Sequence, residues 1–238
     1  MASHHPATPH GKIQEIFPNV FFVQGTKSGE FFGSMWTFSR NMTIVRDGSN
    51  LTLINAVRLD EAGLSALDAL GTVTDVVKIG SMHGHDDAFY VDRYSANFWA
   101  MPGMPHAEGL EANRELVAGG DMPFSGCSLF AFETTNLPEC ILILEREGGI
   151  AIACDSLQNW VAQDTFIDDE TSEKMAGMGF YTPANLGPAW LHVNEPDAAD
   201  FERLKTLTYA HALCGHGEPL MHTADQDYRK TFARIFGV

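Results

Sequence analysis

The chain has 238 residues, with 31 Asp or Glu against 15 Lys or Arg and a net charge of −16. Hydrophobic residues at 45% and charged residues at 19% exclude a disordered or acidic-tail protein, and the length suits a single core that needs no disulfide staples. The acidic balance disfavours nucleic acid and anionic membrane as partners, because phosphates are held by clustered cations, and no apolar run reaches the roughly 18 residues of a membrane span.

Residues 13–24 (IQEIFPNVFFVQ) are rich in β-branched and aromatic side chains and predict a strand. The glycine-punctuated aromatic stretch through residue 40 suits a hairpin or loop. Strands over 42–46 and 51–56 flank Asp47-Gly48-Ser49-Asn50, where Asp-Gly is a strong hairpin signal. Leu64, Leu67 and Leu70 at helical spacing predict a short helix over 60–70, stopped by Gly71. An apolar strand follows over 73–79. Further strands are predicted at 128–134, 141–145 and 150–154, the last after the turn Gly148-Gly149. Residues 159–190 read as mixed and partly helical. A helix over 196–207, an apolar strand over 209–214 and a helix over 225–236 close the chain. That order predicts an α/β layered domain with mixed sheets over residues 11–238, behind a frayed tail at 1–10.

The cysteines Cys127, Cys140, Cys154 and Cys214 form no CxxC pair. With no signal-peptide pattern at the start, they read as reduced thiols, and a cytoplasmic location is expected.

Three polar clusters follow directly on apolar strands. The first is His83-Gly84-His85-Asp86-Asp87 after residues 73–79. In an extended loop His83 and His85 share one side, and Asp87 continues it. Two imidazoles and a carboxylate suit Zn²⁺ or Fe²⁺, though a polar surface turn would look the same. The second is Asp155 after IAIAC, either a ligand or a helix cap. The third is His216, between Gly215 and Gly217, after the last strand. Two further stretches could wall an apolar pocket: Phe31, Phe32, Met35, Trp36 and Phe38, and then Phe166, Met175, Met178, Phe180 and Tyr181. Core packing or a dimer contact would explain them equally.

Taken in order, HxHxD, then Asp, then Gly-His-Gly, the chain resembles the metallo-β-lactamase-fold hydrolases over nearly its whole length. The resemblance implies a four-layer αββα sandwich with mixed sheets. It also implies metal ligands at His83, His85, Asp87, Asp155 and His216. The family pattern has a histidine where this chain has Ala88, and a middle histidine expected near Gly126-Cys127-Ser128, where Cys127 stands by position. Each of two metal sites would therefore lack a nitrogen, and Cys127 would offer the first ion a thiolate. A single ion or an uneven pair is expected, Zn²⁺ first, with Fe²⁺ or Mn²⁺ as alternatives.

The function so implied is a metal-dependent hydrolase of a small ester, lactone, thioester or amide. A bound cation lowers the pKa of water from about 15.7 toward roughly 7. Asp87 would bind metal or act as the catalytic general base. The alternative is a non-catalytic metal-binding or redox-sensing protein, with Cys127 as an oxidisable ligand. A small-molecule substrate is the expected partner, with room for a homodimer.

Overall fold

The computed structural model describes residues 4–107 and 109–238. Strands β1 (Gln14–Phe17), β2 (Val20–Phe31), β3 (Ser34–Asp47) and β4 (Asn50–Ile54) form an antiparallel meander. Helix α1 (Glu61–Leu70) crosses over to β5 (Thr72–Val77), and α2 (Asp87–Tyr94) to β6 (Asn97–Ala100). With β7 (Arg114–Glu115) these strands make one sheet in sequential order, parallel from β4 onward. Then come β8 (Cys127–Ala131), β9 (Cys140–Leu144), β10 (Ile150–Ala153), β11 (Leu157–Gln158), α3 (Asp169–Gly177), β12 (Asn185–Leu186), α4 (Pro188–Asn194), α5 (Ala198–Leu204), β13 (His211–Cys214) and α6 (Ala224–Phe236). The second sheet has the order β13-β10-β9-β8, with β13 parallel to β10, while β11 and β12 pair as a short ribbon.

Side-chain alternation along the strands builds the layers. Phe21, Ile44, Leu53 and Val76 face Leu64 and Leu67 of α1 and Phe89 and Tyr90 of α2. Their strand neighbours Phe22, Val45, Ile54 and Val77 face Leu142, Leu144, Ile150 and Leu213 of the second sheet. From that sheet Ile141, Ile143, Ala151 and Ala212 point the other way, onto Trp190, Phe201 and Phe232 of α4, α5 and α6. A strand apolar on both faces needs cover on both, so two sheets face each other with a helical layer outside each. This is the expected αββα sandwich with mixed sheets.

The stretch through residue 40 is a long hairpin. β2 and β3 stay paired to Phe31↔Ser34, and the turn at Phe32 and Gly33 has positive φ at both positions. The sequence pattern did not reveal α2 or β6. Eight and four residues are too short for a helical or alternating repeat to stand out. The tail also differs from expectation. Residues 1–3 lie outside the described ones, but Pro9 O accepts from Thr26 N at 2.9 Å and Gly11 N donates to Gln24 O at 2.7 Å. β1 covers β2 only between Val20 and Phe22, and the tail pairs with that edge further along, at Gln24, Gly25 and Thr26. No helix among the described residues is long and apolar enough to cross a membrane.

Trp190 is fully buried and packs on Phe132 at 5.0 Å between ring centres. Trp190→Ala is expected to cost about 3–5 kcal/mol in urea unfolding. Met178→Ala, at a side chain 42% exposed, is expected to stay within about 0.5 kcal/mol of the parent.

Candidate metal centre

The carboxyl ends of β5, β10 and β13 deliver the three polar clusters to one place. β10 and β13 run parallel with Ala153 beside Cys214, so Asp155 and His216 leave adjacent strands nearly level. The end of β5 is tied to the second sheet by Cys140 N donating to Ile79 O at 2.9 Å and by a bridge between Gly80 and Glu139. As a result His83 Nε2 lies 3.0 Å from His216 Nε2 and 3.5 Å from Asp155 Oδ2, and His216 Nε2 lies 3.0 Å from Asp155 Oδ1. Cys154 Sγ is 3.4 Å from Asp155 Oδ2, to which its thiol donates, and its sulfur groups with the His83 and Asp155 ligand atoms.

The donor atoms of this cluster compete for a few shared hydrogens. His216 Nδ1 is 2.9 Å from the carbonyl of Ser39, an acceptor, so Nδ1 carries the hydrogen. A neutral ring then aims a bare Nε2 at both His83 and Asp155. Burial lowers the pKa of His83 to about 4, so that ring is neutral at pH 7, with one N–H and one lone pair. Burial works against the Asp155 carboxylate, yet the adjacent His83 and His216 outweigh it and hold its pKa below the ordinary range. The Cys154 thiol donates to Asp155 Oδ2, and one hydrogen on a ring nitrogen bridges His83 and His216; a divalent cation would replace these hydrogens and take lone pairs from several donors at once. Zinc arms of about 2.0–2.3 Å set donors roughly 3.3–3.8 Å apart, near the 3.0 Å, 3.5 Å and 3.0 Å spacings among His83, Asp155 and His216 and the 3.4 Å between Cys154 and Asp155. Two imidazoles, a carboxylate and a thiol suit Zn²⁺ in chemistry as well as in size.

The loop carrying His216 is held from the first sheet. Asn41 Nδ2 donates to Cys214 O at 3.0 Å and to Gly217 O at 2.7 Å, and Asn41 N donates to Gly215 O at 2.8 Å. Gly217 has φ of 82°, and a Cβ there would lie 2.2 Å from the backbone carbon of Asn159. No other residue fits that approach.

The other expected ligands are placed elsewhere. Gly84 has φ of 105°, which breaks the extended path assumed for His83 and His85. His85 is therefore exposed on the pocket rim, stacked on His5 at 4.2 Å between ring centres, and it does not join His83. Asp87 opens α2 and is fully buried away from the pocket wall, with no hydrogen-bond partner on either carboxyl oxygen. Cys127 is not brought to the cluster. It opens β8 opposite Leu144, which pairs with Ile150, four residues before Cys154. At about 3.3 Å per residue, that is roughly 13 Å from the strand end where Asp155 lies. The hairpin end that meets the centre is the β8–β9 connection instead, through Glu139. A redox-sensing role resting on Cys127 loses its place at the metal for the same reason.

Two residues at the centre were missed. Cys154 read as a buried strand thiol, although its position directly before Asp155 was a usable signal. Glu139 is 2% exposed and accepts from Ser156 N at 2.6 Å; burial and the nearby Asp155 charge push its pKa up to about 8. Nothing in its local sequence distinguishes it.

A cavity of about 300 Å³ opens above the cluster. Phe31, Phe32, Trp36 and Phe38 of the β2–β3 hairpin wall one side, and Trp160, Met175 and Phe180 another. Met35, Phe166, Met178 and Tyr181 do not line it. Lys27 and Arg40 add positive charge, and Asp155 is the one carboxylate on the wall among the described residues.

No family model matches the chain, and no curated protein matches it in sequence. Solved structures do match. The DIM-1 metallo-β-lactamase exposed to ceftazidime superposes with a TM-score of 0.62 at 13% identity, covering 96% of this chain and 99% of that one. A metallo-β-lactamase from Hirschia baltica gives 0.57 at 11% identity, covering 93% and 97%. One from Erythrobacter litoralis gives 0.55 at 12% identity, covering 94% and 92%. With these likenesses spanning almost all of every chain compared, the protein has the metallo-β-lactamase fold.

Proposed function

We propose that the protein is a metal-dependent hydrolase of a small, partly apolar ester, lactone, thioester or amide. The observation that carries this reading is the convergence of His83, Asp155 and His216 on one point at the floor of an aromatic cavity. His83, Asp155 and His216 would hold Zn²⁺, a three-residue set that leaves the ion a position for water or substrate, with Cys154 beside Asp155. When bound, such an ion polarises a carbonyl and brings the pKa of water down toward about 7.

The chain's own groups do the rest. The aromatic walls seat the apolar body of the substrate and exclude bulk water, which strengthens each electrostatic contact inside. Asp155, facing the cavity, is placed to accept a hydrogen bond from an attacking water and so orient it. The resemblance assigned that task to Asp87, but Asp87 is turned away from the cavity, so the role passes to Asp155. Ser39 keeps the His216 ring in the tautomer that leaves Nε2 free.

His83→Ala and His216→Ala are each expected to abolish tight zinc binding. Each should also lower kcat/KM on a panel of esters, lactones and thioesters by on the order of 10³-fold, since a cation of this kind supplies several kcal/mol to the transition state. A variant that keeps full turnover while holding no metal overturns the proposal. Zinc present at a thousand times its Kd stabilises the fold by about 4 kcal/mol. Chelation is therefore expected to lower Tm by on the order of 10 °C in a chain of this size, and added Zn²⁺ to restore it.

A further inference from the structure

The β2–β3 hairpin turns one alternating face toward the cavity. In the ladder Lys27 is paired with Phe38, Gly29 with Trp36 and Gly25 with Arg40, and paired residues of antiparallel strands point to the same side. Lys27, Trp36, Phe38 and Arg40 therefore share that side, and all four line the cavity. Phe38, the partner of Lys27, lies 5.8 Å from the His216 ring between ring centres. One aromatic side chain thus separates the Lys27 position from the metal donors.

The two cations of this face differ in what they already hold. Arg40 is 6% exposed and paired with Asp86, whose Oδ2 also accepts from Arg58 N at 2.7 Å. Arg40 Nε has no acceptor among the described residues. Lys27 is half-buried, and among the described residues its ammonium makes no hydrogen bond and no ion pair. Asp155 is the one carboxylate on the wall among the described residues, and it belongs to the metal centre. The cavity therefore presents more cationic N–H donors than acceptors. An ammonium that has lost part of its hydration against aromatic walls is stabilised by an anion that takes a charge-assisted hydrogen bond from it. The chain as a whole carries −16 and repels anions, so this cavity is a local reversal of the molecule's field.

We propose that Lys27 forms an anion subsite on the cavity wall and that the substrate is itself an anion, with a carboxylate held apart from the cleaved bond by a short apolar body. This rests on the hydrolase reading above and names its substrate class. A cavity of about 300 Å³ is at the small end of ligand pockets, and Phe38 spans the distance from the ammonium to the donors, so the apolar body is about one aromatic ring with a short chain. Lys27 is a specificity residue: it selects the charged end of the substrate and takes no part in bond cleavage.

The test uses the full chain and two probes of one shape, phenylbutyrate and phenylbutyramide, with binding read from the fluorescence of Trp36 and Trp160 on the cavity wall. Titrations are run on zinc-loaded protein and again with a chelator, because a carboxylate also ligates zinc. In both conditions the carboxylate is expected to bind on the order of tenfold tighter than the amide, the contribution of one charge-assisted hydrogen bond. In the chelated protein Lys27→Met is expected to abolish that preference with the Kd of the amide unchanged, and Lys27→Arg to keep it. Lys27→Gln takes the place of Lys27→Met if the latter does not fold. Equal affinity for the two probes in the chelated parent, binding of neither at millimolar concentration, or a preference that survives Lys27→Met overturns the inference. A preference present only with zinc assigns the carboxylate to the metal, which overturns the Lys27 subsite and leaves the metal centre standing. A chain that takes up no zinc yet keeps the Lys27-dependent preference supports the subsite and overturns the metal centre alone.

Discussion

The hydrogen bond from His216 Nδ1 to the carbonyl of Ser39 sets the chemistry of the site. By occupying one ring nitrogen it leaves the other bare, and it fixes the direction in which that lone pair points. Ser39 belongs to β3, a strand of the first sheet, while His216 follows β13 of the second. The bond therefore exists only because the two sheets pack face to face, and it carries their relative placement straight to the metal donors. Asn41, two residues along β3, reinforces it by gripping the backbone on both sides of His216. Two neighbouring residues on one strand thus control a loop far away in sequence.

The same packing explains where the cavity lies. β2 and β3 extend beyond the rest of the first sheet as a hairpin, with aromatic side chains that no strand of the second sheet covers. Trp36 finds its cover instead in Trp160, Met175 and Phe180, which belong to the segment between β10 and β13. Phe31 and Phe32 remain partly exposed above the donors. The result is an apolar chamber with a polar floor, in which charge is screened little by water.

Charge inside the molecule is arranged against the surface trend. A chain with a net charge of −16 nevertheless buries Arg40 against Asp86 and Lys78 near Asp87, both beside the His83 loop. Asp86 is thereby neutralised by a cation from β3. Separating that pair would leave a lone charge in a low-dielectric interior, a far larger penalty than the pair itself carries. The Arg40–Asp86 pair ties the His83 loop to the strand beneath it and so contributes to the geometry of the site.

The sequence by itself determined the layered architecture, because apolar residues on both faces of β4, β5, β9 and β10 can be satisfied only by cover on both sides. It also marked His83, Asp155 and His216, since each stands just past an apolar strand, where such folds place their polar groups. Tertiary structure alone decided which other side chains join them. His85 turns outward because Gly84 adopts a positive φ, a backbone state that the spacing HxH does not encode. Cys154 replaces Cys127 because the register of β8, β9 and β10 puts Cys127 at the far end of the sheet. Asp87 faces Lys78 because α2 begins there, and that helix is too short to be read from periodicity. Position along a chain shows which strand end a residue occupies. The direction in which it points depends on a single loop dihedral and on the pairing of strands distant in sequence.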